Sequence, residues 1–208
     1  MDGSSAAVIT KILHVLFPAA RSVCDPTYGR GNFYKELPTS VRLFGGDIDI
    51  RRARNWRGDC CTLPFADGTF DCAVLDIPFQ PISTNTSQLI GDQYSKVGVV
   101  GQSMANLAQV RDLLITASRE AHRVSRLGTI IKTQDYVHAR KVVSMTAWMH
   151  EALGLPGGHV TLRQASKLRS SSWRTQCSVW TNHSDFWIYF HGSRYARADS
   201  LRMRERAR

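Results

Sequence analysis

Apolar and polar positions along the first third of the chain follow two periods, one typical of helices and one typical of buried strands. Residues 6–17 carry apolar side chains at helical spacing and stop before Pro18, which predicts a first helix. Short apolar runs, typical of strands covered on both faces, predict four strands, at 22–25, 42–48, 59–63 and 70–75. Between the second and third of these, residues 51–56 fit one or two helical turns.

The same alternation continues in the rest of the chain after a polar interruption. Residues 80–103 are rich in Ser, Thr, Gly, Asn and Gln and predict a loop. Helical spacing returns at 104–124 and from about 138 to 153, where Gly154 predicts the helix end. Three more strands are predicted, at 129–133, 159–165 and 185–191. Seven strands interleaved with helices predict one α/β domain with a doubly wound sheet.

The composition narrows the class of protein. The chain has 208 residues, 43% hydrophobic and 21% charged, which suits one globular domain. No apolar run approaches the length of about 18 residues that a membrane span requires, and the N-terminal apolar stretch lacks a preceding basic region. We therefore expect a cytoplasmic protein without a membrane partner. The odd number of cysteines and the lack of C-x-x-C spacing predict buried thiols, with no metal site.

The net charge of +10 favours an anionic partner such as nucleic acid. The predicted domain covers residues 1–191, and residues 192–208 form a tail with six arginines and two acids, a net charge of +4. The tail fits a phosphate-contacting arm and a solvated end equally well.

Candidate chemistry follows the predicted strands, because ligands of doubly wound sheets bind beyond the carboxyl ends of the strands. After the first strand comes D-P-T-Y-G-R-G-N-F at 25–33, where Gly29 and Gly31 let the backbone turn sharply and approach a ligand. By itself such a glycine pair fits any tight turn. After the second strand, Asp47 is placed to accept the hydroxyls of a ribose, whereas Asp49 fits the cap of a turn beginning at Arg51.

Two further segments carry carboxylates. Asp59, followed by Cys60, is placed to accept an amino proton of an adenine ring. Asp76-Ile77-Pro78-Phe79 follows the most hydrophobic strand and combines a carboxylate, a stiff backbone and an aromatic face for a flat ring. A carboxylate at that position is costly unless it binds something.

These segments resemble the class I S-adenosylmethionine-dependent methyltransferases, in particular the amino-methylating DNA enzymes. In that family D-P-x-x-G-x-G-x-F binds the cofactor, and D-P-P-Y/F grips the amino group to be methylated. Short methyltransferases of phages and actinobacteria are also similar at 131–135, at 173–176 and at 182–184.

The resemblance implies a Rossmann-like seven-stranded sheet, S-adenosyl-L-methionine as cofactor, and methylation of adenine N6 or cytosine N4 in DNA. The implied catalytic residues are Asp76, Ile77, Pro78 and Phe79. The implied cofactor residues are Asp25, Pro26, Thr27, Gly29, Gly31, Phe33, Asp47, Asp59 and Cys60. The expected substrate rim is Lys132, Gln134, Asp135, Trp173, Arg174, Gln176, Asn182 and His183. A hydrogen-bonded loop histidine is the simpler interpretation of His183 alone.

The chain departs from the family pattern in three respects. Ile77 replaces the first proline of D-P-P-F, although its carbonyl remains an acceptor, and residues 1–22 show no F-x-G segment. The length leaves no room for a separate target-recognition domain. Two alternatives therefore stay open: the same chemistry on RNA or a small amine, and an inactive nucleic-acid-binding protein of the same fold.

Overall fold

The computed structural model describes residues 4–77, 107–138, 141–163 and 183–192. The helices in these ranges are α1 (Ser5–Leu16), α2 (Leu107–Val124) and α3 (Met145–Leu153). The strands are β1 (Ser22–Asp25), β2 (Arg42–Asp47), β3 (Trp56–Arg57), β4 (Phe70–Asp76), β5 (Ser125–Thr133), β6 (Tyr136–His138), β7 (Lys141–Val143), β8 (Gly158–Arg163) and β9 (His183–Phe190). None of the helices in these ranges is long and apolar enough to cross a membrane.

Several predicted features lie outside the described residues. They are Pro78, Phe79, Trp173, Arg174, Gln176, Asn182, the polar loop at 80–103 and the tail from residue 193 onward.

Seven strands form one sheet in the order β3-β2-β1-β4-β5-β9-β8. The first five in this order pair in parallel, whereas β9 is antiparallel to both β5 and β8. The order 3-2-1-4 places a topological switch point between β1 and β4, where ligands bind in doubly wound sheets. The predicted doubly wound, seven-stranded α/β sheet is confirmed.

Helices cover both faces of the sheet. On one face α1 packs through Ile9 and Leu13 against a cluster that includes Val74 and Phe186. On the other face α2 and α3 pack against a cluster that includes Leu75. Covering on both sides explains why residues 70–75 of β4 are all buried and why its sequence is almost continuously apolar.

The predicted third strand at 59–63 is wrong. The strand is Trp56–Arg57, and Asp59 begins a turn instead. The Asp59 carboxylate accepts the backbone N–H of Cys61 at 2.8 Å, and its carbonyl accepts that of Thr62 at 3.2 Å. These local bonds compete with a sheet ladder. The predicted helical turns at 51–56 reduce to one turn closed onto the Asp49 carbonyl.

The predicted helix from about 138 to 153 is wrong in its first half, where β6 and β7 form an antiparallel hairpin. The helix begins only at Met145, because the side chain of Ser144 caps it by accepting the backbone N–H of Ala147. The β-branched Val142 and Val143 before that cap favour a strand. The predicted end is confirmed: Gly154 has φ 77°, and its N–H closes the last turn onto His150.

Candidate active site

The glycine turn after β1 has the backbone that its sequence predicts. Gly29 and Gly31 have φ of 57° and 65°, in the left-handed region that favours glycine. A Cβ at Gly31 would lie 2.3 Å from the Tyr28 hydroxyl oxygen, so the turn excludes a side chain there. The Tyr28 N–H donates to the Gly46 carbonyl at 2.9 Å, which fastens the turn to β2.

Asp47, at the end of β2, joins the same turn. One carboxylate oxygen accepts the Gly29 N–H at 3.0 Å, and the other accepts the Asp49 N–H at 2.8 Å. Asp49 acts separately, because its carboxylate accepts both the backbone N–H and the guanidinium Nε–H of Arg51 at 3.1 Å. The structure therefore assigns the turn cap to Asp49 and leaves Asp47 beside the glycines, as the sequence predicts.

Asp25 lies inside the loop. Its carboxylate is buried and accepts three hydrogen bonds, from the Thr27 N–H at 2.7 Å, the Thr27 hydroxyl at 2.8 Å and the Tyr34 hydroxyl at 2.7 Å. Burial raises the pKa of Asp25 to about 7, although these hydrogen bonds oppose the shift. Asp25 and the buried Pro26 thus shape the turn from within.

Thr27 connects two strand ends. Its hydroxyl oxygen donates to Asp25 and accepts the backbone N–H of Asp76 at 2.9 Å. The glycine turn after β1 is therefore held directly against the end of β4, as expected for neighbouring strands at the switch point.

Asp76 forms an ion pair with Lys132. The two residues face each other across β4 and β5, and the Lys132 Nζ lies 3.2 Å from each carboxylate oxygen. Burial raises the pKa of the Asp76 carboxyl, and the Lys132 ammonium opposes that shift. The ammonium also lies 5.2 Å from the centroid of the Phe33 ring, a cation–π distance. Lys132, predicted at the substrate rim, thus contacts the predicted catalytic carboxylate.

Ile77 stands at the position of the first proline in the D-P-P-F pattern. Its side chain is buried in the core beneath α2, in the same cluster as Leu75, Leu114 and Tyr136.

Asp59 and Cys60 are half-buried, and Cys60 packs against the cluster that includes Leu75. Within the described ranges, one set of three metal-ligating side chains has its ligand atoms within 4.8 Å of one another, namely Asp59, Cys60 and Cys61. The hydrogen bond between the two thiols, together with burial, raises the pKa of Cys60 far above its usual range. Soft metal ions bind the thiolate, which this environment disfavours.

The remaining described rim residues lie at the carboxyl end of β5. His183 begins β9, and its Nε2 lies 3.3 Å from Asp185, which pairs with Thr133 in β5. Because successive side chains alternate, Asp185 and Thr133 lie on the sheet face opposite Lys132. His183 thus lies beside a carboxylate of its own strand, and its place on the substrate rim stays a prediction.

Gln134 and Asp135 follow β5. Gln134 is half-buried. The Asp135 carboxylate accepts the Ser144 hydroxyl at 2.9 Å and the Thr146 N–H at 3.0 Å. Asp135 therefore fixes the start of α3, and its place on the substrate rim stays a prediction.

Two site relationships were missed at the sequence level. Tyr34 donates to Asp25 from a short 3₁₀ helix (Asn32–Tyr34), and no motif spacing signals that contact. The Lys132–Asp76 pair depends on the register between β4 and β5. The sequence signal for this pair is that both residues lie near the carboxyl ends of their strands.

No family model and no curated protein matches the chain. Two solved structures share its fold. One is a Pyrococcus horikoshii protein provisionally assigned as an RNA methyltransferase: 11% identity, 89% of this chain and 82% of that chain covered, TM-score 0.52. The other is a Bacillus halodurans C-125 protein provisionally assigned as a methyltransferase: 10% identity, 89% and 97% covered, TM-score 0.50. The chain thus has the Rossmann-like α/β fold of class I methyltransferases.

Proposed function

We propose that the chain is an S-adenosylmethionine-dependent methyltransferase that methylates an exocyclic amine, adenine N6 or cytosine N4, in DNA. The main support for the proposal is the group of residues at the switch point between β1 and β4. There the glycine turn, Asp47 and Asp76 converge in a fold shared with methyltransferases. The resemblance at 25–33 and 76–79 supplies the reaction type.

The cofactor fits the geometry of this group of residues. Among the described residues other than its two chain neighbours, an added Cβ at Gly29 would meet just the Thr27 carbonyl oxygen within 4 Å, at 3.8 Å, so the backbone there leaves room for a ligand. Each Asp47 oxygen accepts one backbone N–H and keeps a second lone pair, which ribose hydroxyls can use. Asp59 and Cys60 would border the adenine ring, and the Phe33 ring lies beside the Lys132 ammonium.

S-Adenosylmethionine supplies an electrophilic methyl group when it is bound. The residues of the chain hold the amine in line with the methyl group and accept the proton that the amine loses. The Asp76 carboxylate accepts an amine hydrogen, and the Ile77 carbonyl and the Phe79 ring complete the grip as the resemblance implies. Hydrogen bonding to Asp76 localises the nitrogen lone pair, so that positioning and electrostatics supply most of the rate. The raised pKa of Asp76 makes its carboxylate a better acceptor for the released proton.

Nucleic acid is the proposed substrate because the chain carries a net charge of +10. A base within a duplex must be extruded to reach Asp76, at a cost of a few kcal/mol. RNA is the second candidate, supported by the assignment of the Pyrococcus protein as an RNA methyltransferase.

Two measurements on the full chain test the proposal. Calorimetric titration with S-adenosylmethionine should show binding, and transfer of tritiated methyl groups should label DNA above RNA and free nucleosides. Label in RNA alone would move the substrate to RNA. Cofactor binding without transfer to any of these acceptors would support the inactive nucleic-acid-binding protein, and absence of cofactor binding would contradict the proposal.

A further inference from the structure

We propose that Lys132 is a positioning residue, which orients the Asp76 carboxylate toward the amine to be methylated. This inference rests on the proposed function and adds to it a residue that the D-I-P-F segment does not contain. Lys132 lies on a different strand, 56 positions along the chain from Asp76.

The contacts of Lys132 restrict the movement of its ion pair with Asp76. Its Nζ is equally distant, 3.2 Å, from both carboxylate oxygens of Asp76, so the ammonium constrains rotation of the carboxylate. The Lys132 side chain is only 14% exposed, whereas exposed ion pairs pay for ordering long, free side chains. Phe33 provides the ammonium with a second contact, at 5.2 Å from the ring centroid.

The backbone of Asp76 is held independently of its side chain. Its N–H donates to the Thr27 hydroxyl oxygen at 2.9 Å. The Asp76 backbone is thus bound by Thr27 and both carboxylate oxygens by Lys132, which restricts the orientation of the carboxylate. Within the described part of the chain each oxygen accepts only from Lys132, so its second lone pair can accept an amine hydrogen while the ion pair stays intact.

Among the described residues, Lys132 on β5 lowers the pKa of Asp76, whereas the charge of Asp76 helps to raise the pKa of Asp25 on β1 and of Tyr34 on the 3₁₀ helix. Burial raises the pKa of Asp76, and the negative charge of Asp76 in turn helps to raise the pKa of Asp25. Lys132 is the group that opposes protonation of Asp76. Its removal should let Asp76 take up a proton at higher pH, and a protonated carboxyl can no longer accept the amine proton.

The proton balance of the transfer step agrees with this role. The amine nitrogen forms a bond to the methyl carbon, the carbon–sulfur bond breaks, and its electron pair stays on the sulfur. The proton that the nitrogen loses goes to the Asp76 carboxylate. Lys132 keeps its own proton throughout, so its contribution is charge and orientation.

A phosphate contact is the competing role for Lys132, and the two roles change different quantities. Loss of a phosphate contact weakens substrate binding and lowers its salt dependence. Loss of a positioning charge lowers the rate of the bound complex and moves its pH dependence.

The experiment compares Lys132→Met, which removes the charge, with Lys132→Arg, which keeps it. Lys141→Met, a change at an exposed lysine of β7, is the control. We expect Lys132→Met to lower the single-turnover rate at neutral pH at least about tenfold and to leave KM within about threefold. The acid limb of its pH profile should move to higher pH, and Lys132→Arg should return it toward the wild-type position.

A readout without turnover separates this inference from the proposed function. In protein carrying ¹³C-labelled aspartate carboxyls, with the Asp76 signal assigned by loss in Asp76→Asn, the Asp76 titration should move to higher pH in Lys132→Met. An active enzyme whose acid limb and Asp76 titration are both unchanged in Lys132→Met would overturn the positioning role. A raised KM with an unchanged rate would overturn it in favour of a phosphate contact. A wild-type protein that transfers no methyl group would instead overturn the proposed function, while the titration still decides the Lys132–Asp76 coupling.

Discussion

The hydroxyl of Thr27 donates to the buried carboxylate of Asp25 and accepts the backbone N–H of Asp76 at 2.9 Å. One side chain thus joins the glycine turn after β1 to the strand end that carries the proposed catalytic carboxylate. A change at Thr27 should therefore affect the rate of methyl transfer through Asp76 as well as the stability of the turn.

Thr27→Val keeps the shape of the side chain and removes both hydrogen bonds. The Asp76 N–H and one Asp25 lone pair lose their partner, so we expect the free energy of unfolding to fall by about 1–3 kcal/mol. The transfer rate should fall about tenfold because the Asp76 backbone is less well fixed. Urea unfolding and single-turnover assays measure the two effects. Thr27→Ser keeps the hydroxyl and serves as the control; equal losses in both variants would exclude the hydrogen bonds as the cause.

Asp47 and Asp49 provide a matched pair of acids two positions apart. Asp47→Ala should weaken binding of S-adenosylmethionine by about 1–3 kcal/mol, or about five- to 150-fold, since an acceptor for ribose hydroxyls and the bond to Gly29 are lost. Asp49→Ala, at the residue that caps the Arg51 turn, should leave the affinity within about threefold. Calorimetric titration of both variants checks this, and equal affinities for the two would refute the assignment of Asp47.

Features that depend on neighbouring residues could be predicted from the sequence, and features that depend on distant contacts could not. The apolar run of β4 and the turn at Gly29 depend on residues that are adjacent in the sequence, and both were predicted. The hairpin before α3 was missed because the Asp135 side chain, nine positions before Ser144, fixes the helix start. The Asp76–Lys132 pair was missed because its register follows from how two distant strands align.

His122 provides a test of stability against pH at the other end of β5. Its ring stacks on His191 at 3.6 Å, and burial, together with His191, lowers the pKa of His122 to about 4. A histidine whose pKa is lower in the folded state contributes stability above its unfolded pKa of about 6.5, and this contribution is lost as the pH falls toward 4.

We expect the free energy of unfolding to depend less on pH between 6.5 and 4 in His122→Gln than in the wild type. The difference should be about 1–2 kcal/mol, below the full value of the shift because the ring is partly exposed. Urea titrations at pH 7, 6, 5 and 4 measure it. Parallel curves for the two proteins would show that His122 titrates normally.

The arginine-rich tail offers a test of the nucleic-acid partner. Removal of residues 192–208, which carry six arginines and two acids, should lower the slope of log affinity against log salt for DNA, because fewer phosphates are neutralised. Filter binding or fluorescence anisotropy at four salt concentrations gives the slope. A slope identical to that of the full chain would mean that the tail makes no phosphate contacts.

Asp76 is the residue proposed to direct methyl transfer to an exocyclic amine. The measurement that tests this role most directly is mass spectrometry of nucleosides from DNA treated with the wild-type protein or with Asp76→Asn, which keeps the size of the side chain and removes its charge. The wild type should produce N6-methyladenine or N4-methylcytosine. Asp76→Asn should lower that yield about a hundredfold or more while cofactor affinity stays within about threefold. Methylation at a ring carbon, or transfer by Asp76→Asn at the wild-type rate, would contradict the claim.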